Sequence, residues 1–407
     1  MHKRQWALLA PLLLLLSACA GLREPITGGP SCPSCAVCPK CPGALEPELP
    51  PAKPLQPARW QDMPGWAEDN VAAAWPAFQQ SCRGLNGKPQ WPQWRPACEA
   101  AKAVDAGDNK AVRRFFESQF QPFVVTNPDG SREGLITGYY EPLLLGARAR
   151  GGANQFPLHA VPKDLLTIEL GDVIPELKGK RVRGRLVGNK VMPYYSRAEI
   201  IESERGHGAP PTLLWVEDPI ELFFLQIQGS GRVRLPSGEM VRVGYADQNG
   251  HPYQSIGRVL IDRGELKNGE ASMQGIQAWA RANPKKLDEL LNTNPSYVFF
   301  RELPPSKFGP EAGPPGALAV PLLAERSIAI DPRSIPLGAP VFLATTQPST
   351  GDPLRRLVMA QDTGGAIKGV VRADYFWGFG AEAGAQAGRM KQSGQMWVLL
   401  PPGAAPK

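Results

Sequence analysis

Histidine is nearly missing from this chain. The 407 residues hold four, His2, His159, His207 and His251, and no two stand at the spacing a metal site requires. There is no His-Glu-x-x-His, no P-loop, no strand–Gly-x-Gly-x-x-Gly–helix unit and no Gly-x-Ser-x-Gly elbow. Those absences remove the usual routes to zinc, nucleotide and serine-nucleophile chemistry. No cofactor and no metal is therefore expected, and any catalysis falls to carboxylates. Long apolar runs are also lacking. The one that stands out, 6–16, is too short to span a bilayer comfortably and follows the positive Lys3 and Arg4. No long basic run exists either: 45 Lys and Arg against 38 Asp and Glu give a net charge of +7, spread along the chain. That modest excess suits an acidic polymer.

What is abundant points to β structure. Glycine (43) and proline (44) each make up about a tenth of the chain, which favours many short strands and turns over a helical bundle. The first residues read as a bacterial lipoprotein signal. Leu16-Ser17-Ala18-Cys19 has the form of a lipobox, so Cys19 Sγ is the expected lipidation site, with ordinary signal cleavage nearby as the alternative. The acyl chains on one Cys anchor firmly, because each buried methylene adds roughly 0.8 kcal/mol. Ala20, not Asp, follows, which points to the periplasmic face of a Gram-negative outer membrane. In that compartment nucleic acid is not an expected partner. A Pro-rich tether, 20–57, carries Cys32, Cys35, Cys38 and Cys41 at C-x-x-C-x-x-C-x-x-C spacing. In the cytosol this would suggest a metal or iron–sulfur site; behind an export signal, disulfides within the tether are the better reading. Cys82 and Cys98 flank a Trp/Pro loop and are candidates for a disulfide in an oxidising compartment.

Along the folded part, 66–120 has helical periodicity, with Val71, Ala74, Trp75 and Phe78 on one face and Ala111, Val112, Phe115, Phe116 and Phe120 on another. Leu135-Ile136-Thr137-Gly138-Tyr139-Tyr140-Glu141-Pro142 is a strand. From about 143 to 260, short apolar runs at 182–187, 213–216, 222–227 and 241–245 read as a small β-barrel or sandwich. Helices are predicted at 272–282 and 284–291, each stopped by Asn-Pro. Strand returns at 296–300 and, after a Pro/Gly loop at 304–316, at 327–330, 341–344, 357–361 and 396–400.

One stretch carries most of the chemistry. Leu357 to Ala360 reads as a buried strand that ends on Gln361-Asp362 and then turns through Thr363-Gly364-Gly365. Asp331 and Asp374 bracket it. Three carboxylates on a strand-rich scaffold without a cofactor motif suggest acid/base work on a sugar or ester bond.

Together these motifs resemble the membrane-bound lytic murein transglycosylase A family. The resemblance rests on Thr137-Gly138-Tyr139-Tyr140-Glu141-Pro142, Gln226-Ile227-Gln228-Gly229-Ser230-Gly231 and Gly244-Tyr245-Ala246-Asp247. It continues through His251-Pro252-Tyr253-Gln254-Ser255-Ile256-Gly257-Arg258, 294–300 and 331–377. It spans roughly two-thirds of the mature chain, and the C-terminal part is similar to the 3D domain, named for three aspartates. It implies a mainly β fold with flanking helices: a double-psi β-barrel from 58–142 plus 302–401 (3D region about 320–401), with a smaller β-barrel, 143–301, inserted into it. A groove between the two would hold a peptidoglycan glycan strand. The implied reaction cleaves the MurNAc-β-1,4-GlcNAc bond without water and leaves a 1,6-anhydromuramoyl end. One carboxyl group then suffices, because the substrate's own C6 hydroxyl is the nucleophile. The four-cysteine tether is not part of the family pattern.

On this sequence the resemblance makes Asp362 the acid and then the base; its alternative is a cap on the glycine turn. Asp374 would steady charge beside it, or cap a helix starting at Tyr375. Asp331 either touches substrate or fixes loops. Gln226, Gln228, Gly229 and Ser230 would bond the acetamido and hydroxyl groups of a glycan, or form a strand–turn with satisfied amides. Tyr139, Tyr140 and Trp377 would stack on sugars or lie in the core, and Lys368 would meet a loop carbonyl or a substrate carboxylate. Two competing functions remain: a non-catalytic peptidoglycan-binding lipoprotein, and a hydrolase using Asp362 and Asp374 as a pair. No surface for a protein partner is legible.

Overall fold

The computed structural model describes residues 53–178, 180, 182–204, 208–309 and 312–404. Cys19 and the four tether cysteines lie outside the described residues. The fold is mainly β, and its strands sort into two large sheets according to chain position. One sheet uses the two ends of the folded chain. Its strands Lys391–Leu400, Pro340–Thr346, Pro353–Asp362, Ser327–Ile330, Arg372–Phe379 and Gly134–Glu141 follow one another in that order. The first pairs back onto the last, through Lys391–Gly394 with Gly134–Thr137, so six strands close into a ring. Closure leaves no free edge among them. Leu55–Pro57 and Gln121–Val125 extend the sheet from outside the ring, so 55–57, expected as tether, belongs to the fold.

The ring closes around a dry core. Val341, Leu357, Val358, Ala373, Met396 and Val398 are fully buried there. Helices Trp75–Leu85 and Asn109–Gln119 pack on it with the aromatic faces anticipated from their periodicity: Trp75 meets Phe115 edge-on at 4.9 Å and Phe78 meets Phe116 at 5.2 Å. Helix Trp91–Ala100 is joined to the first of these by the Cys82–Cys98 disulfide.

The second sheet belongs to the middle of the chain. Its order is Val298–Glu302, Met240–Gln248, Ser230–Arg234, Leu143–Ala147, Thr212–Val216, Phe156–His159, over a separate core of Leu158, Leu214, Val216, Leu225 and Val243. One segment differs from its sequence reading. Residues 222–227 were expected as strand but lie in the helix Pro219–Gln228. Asp218 Oδ1 accepts from the backbone N–H of Ile220, Pro219 occupies the first turn, and Gly229 ends the helix at φ +80°. The apolar run is continuous because the helix is buried on most sides, which hides its period. Among the described residues no helix is long and apolar enough to cross a membrane.

Candidate active site

The strand Pro353–Asp362 reaches its end through a β-bulge. Ser327 pairs with Met359 and Ile328 with Ala360, but Ala329 pairs with Asp362, so Gln361 is one residue too many. A bulge re-aims the side chain beyond it. The extra residue is tied down: Gln361 is fully buried, its Oε1 accepts from Ser327 Oγ at 2.7 Å, and its Nε2 donates to Ala77 O (2.7 Å) and Ser81 Oγ (3.1 Å). The end of this strand is therefore clamped between a ring strand and the helix Trp75–Leu85.

Asp374 reaches the same place from the other side. Ala329 pairs with Asp374 as well as with Asp362, so the two aspartates flank one alanine on the strand between them. Cross-strand partners share a face, and two strand spacings put their Cα atoms about 10 Å apart. Asp374 is in the strand Arg372–Phe379, not at the cap of a helix. Its partner there is Gly134–Glu141, more than two hundred residues earlier, which no local pattern reveals. That pairing sets Phe376 beside Tyr139, their rings 5.1 Å apart.

The Asp362 carboxyl is partly buried and held at both oxygens. Tyr139 OH donates to Oδ2 at 3.0 Å and the Ala317 backbone N–H to Oδ1 at 2.9 Å. Burial pushes this carboxyl up to about 6; the hydrogen bonds from Thr363, Ala317 and Tyr139 oppose the rise, and the charge of Asp374 adds to it. Burial also raises the Asp374 carboxyl, offset by Arg372, which donates to Asp374 Oδ1 (2.9 Å) and Thr137 Oγ1 (2.8 Å). Tyr139 is pushed well upward by burial first and by Asp362 next, so its hydroxyl stays a donor.

Asp331 has a different environment. It is 2% exposed and accepts from the Arg333 backbone and guanidinium and from the Gly369 N–H at 3.1 Å. The Arg333 hydrogen bonds hold it well below the usual carboxylate range. Its carboxylate pins the loop that follows Asp362, on which Lys368 is exposed.

The remaining candidates divide. Gln228 joins the site, its Oε1 accepting from Tyr140 N at 3.1 Å. Gly229 and Ser230 follow it, and the Gly229 carbonyl accepts from Tyr245 N at 2.7 Å. Gln226 does not join it: it is 6% exposed and accepts from Arg197 Nη2 inside the second lobe. Tyr140 and Trp377 alternate with the site-facing positions of their strands and belong to the core. Tyr140 is 5% exposed and its hydroxyl meets Met273 Sδ. Trp377 is 9% exposed, donates to Met390 Sδ at 3.3 Å and packs on Tyr375. Of the two readings open for the three aromatics, sugar stacking or core, the burial of Tyr140 and Trp377 fits the core reading. Sequence reading missed Gln361, Ala317 and Arg372. Only Arg372, two positions from an aspartate, carried a local signal.

A closed ring of strands thus carries two buried carboxyls at one end, with a second sheet from the middle of the chain. Family models match the chain as MltA specific insert domain over 135–301 and 3D domain over 326–400. Membrane-bound lytic murein transglycosylase A of Escherichia coli K12 is 34% identical over 306 residues, 73% of each chain. The lytic transglycosylase LtgG of Burkholderia pseudomallei is 50% identical, covering 88% of this chain and 98% of its own, with TM-score 0.58. The E. coli MltA crystallised with bound chitohexaose is 28% identical, covering 86% and 92%, with TM-score 0.60. The chain belongs to the membrane-bound lytic murein transglycosylase A family.

Proposed function

We propose that this chain is a peptidoglycan lytic transglycosylase in which Asp362 is acid and then base. The observation that carries the reading is a single partly buried carboxyl raised to about 6 and held by three hydrogen bonds. At mildly acidic pH it carries a proton to give. Protonation of the glycosidic oxygen between MurNAc and GlcNAc breaks the bond to C1 as positive charge develops on the sugar ring. The same carboxylate then takes the proton of the C6 hydroxyl as O6 closes on C1. No water enters, so the products are a GlcNAc end and a 1,6-anhydromuramoyl end. Asp374, hydrogen-bonded by Arg372, stabilises the developing positive charge, and Tyr139 positions Asp362. Asp331 acts through the loop it pins. Gln228, Gly229, Ser230 and Lys368 are proposed as glycan contacts. The chitohexaose bound by the E. coli relative supports a glycan strand as the ligand.

The two-carboxylate hydrolase is less favoured because Arg372 engages Oδ1 of the carboxylate that would have to activate water. The binding-module reading has no account of a raised, clamped Asp362. The closed six-strand ring, with parallel pairs on both sides of the active-site end, supports the double-psi assignment, and the sorting of strands supports an insert over about 143–301. We further propose a lipid anchor at Cys19 on the periplasmic face of the outer membrane, in keeping with the membrane-bound relatives. The test is a digest of purified peptidoglycan by the protein and by Asp362→Ala, read by mass spectrometry. Anhydromuropeptides made only by the unaltered protein support the reading. Products heavier by one water point to the hydrolase, and binding without products points to the module.

A further inference from the structure

The second lobe contains a cavity of about 300 Å³ that none of the proposed chemistry uses. It lies among the helices Arg197–Ser203 and Pro219–Gln228 and the strands Phe156–His159 and Thr212–Val216. Arg197 lines it and is 4% exposed. Its Nε donates to Asn294 O at 3.1 Å, and its Nη2 to Gln226 Oε1 and Ser296 O. Those acceptors are all neutral. Among the described residues no carboxylate pairs with Arg197 and Nη1 has no acceptor, while Glu204, on the same wall, is engaged by His159 Nε2 at 3.1 Å. Phe223 and Tyr297 lie 4.7 and 5.0 Å from the guanidinium, and burial pulls it down to about 10.

A buried guanidinium that lacks an anion is costly, and a carboxylate entering its fork would supply the missing charge and acceptors. The rim repeats the theme, with Arg150 over the Trp215 ring at 5.3 Å. Between the two arginines lie the apolar Phe156 and Leu222, and the carboxylates Glu204 and Asp288 line the cavity further round. The cavity thus favours a carboxylate borne on a small apolar body, and its volume suits one or two amino-acid residues. One helix, Pro219–Gln228, links it to the proposed glycan contacts. Gln226, which bonds Arg197, is two positions from Gln228, which bonds the backbone beside Tyr139.

We propose that this cavity binds a carboxylate of the acidic stem peptide that peptidoglycan carries on its muramic residues, so that the enzyme reads peptide as well as sugar. The inference rests on the functional reading above, and the experiment separates the two. A fluorescein-labelled stem tetrapeptide is titrated against the full chain in detergent and followed by anisotropy, and cleavage of peptide-free glycan is measured in parallel. Saturable binding is expected, competed by unlabelled tetrapeptide but not by the same peptide with its carboxylates amidated. Arg150→Gln and Trp215→Ala, which spare the buried network, should each weaken binding about tenfold, and Arg197→Gln more so. Both rim variants should cleave peptide-free glycan at the unaltered rate. Equal competition by the amidated peptide, or unchanged binding in the rim variants, overturns the cavity proposal, as does cleavage without peptide binding. Peptide binding by a protein that cleaves no glycan leaves the cavity proposal standing and overturns the functional one.

Discussion

At the scale of single residues, the proposed chemistry depends on one carboxyl group kept partly out of water. Asp362→Asn should lower turnover about 10²–10⁴-fold, measured as anhydromuropeptide release, because the amide neither donates nor accepts the proton in transit. The same raised pKa makes a stability prediction. Unfolding returns Asp362 to an ordinary carboxylate, so in the native protein ionisation is penalised. Stability tied to this group is fully present below the ordinary value near 4 and is lost as pH rises through about 6. Asp362→Asn escapes that loss, so its melting temperature should exceed the parent's at pH 7.5 by an amount equivalent to about 1–2 kcal/mol and match it at pH 4. A variant equally shifted at both pH values would show that the burial penalty is not the cause. Tyr139→Phe removes a bond that lowers the Asp362 pKa. The alkaline limb of the pH–rate profile should therefore move upward while the maximal rate falls, and a fall with no movement would reduce Tyr139 to a packing residue.

At the scale of elements, the bulge is the part on which aim depends. Gln361→Ala would remove three buried hydrogen bonds, to Ser327 Oγ, Ser81 Oγ and Ala77 O. The expected cost is roughly 2–3 kcal/mol in denaturant unfolding, with turnover reduced at temperatures where the protein is still folded. Turnover that survives intact would mean the bulge does not set the Asp362 geometry. This is also where sequence reading ran out. The strand ending on Asp362 was legible from its apolar run and glycine turn, and the helices around Trp75 and Phe115 from their period. The extra residue at 361 leaves no trace in spacing, because a bulge is defined by the partner strand. Asp374 was open to reading as a helix cap for the same reason: the strand that contains it is made by pairing with residues near 137. The helix Pro219–Gln228 is a different case. Its signals were present, in Asp218-Pro219 and Gly229, and a continuous apolar run outweighed them. Trp377 and Tyr140 show the limit for aromatics, since alternation along a strand decides between core and groove only once the facing sheet is known. Gly138 lies tight against that core, as a Cβ there would stand 2.7 Å from Trp377 Nε1 and 2.9 Å from Ala387 Cα.

At the scale of the whole molecule, two sheets must hold a fixed relation if sugar contacts from one are to serve a carboxyl on the other. Glu141 is the hinge of that relation. It ends the ring strand Gly134–Glu141 and is fully buried, yet its Oε2 accepts from Arg232 Nε, on the second sheet, at 2.8 Å, with Arg242 4.0 Å from Oε1. Burial raises the Glu141 carboxyl, and the two arginines oppose that rise. Phe379, from the ring, lies 4.0 Å from the Arg232 guanidinium. A buried pair is weak as a source of net stability, but removing one partner of it is destabilising. Glu141→Ala should therefore cost roughly 3 kcal/mol in denaturant unfolding. Glu141→Leu, which fills the volume but offers the two arginines no carboxylate, should recover only part of it. If the pair also fixes the groove, both variants should raise KM for glycan more than they lower kcat, since Asp362 and its three donors are untouched. A loss confined to kcat would instead place the coupling between Glu141 and the Tyr139–Asp362 hydrogen bond, two residues away on the same strand.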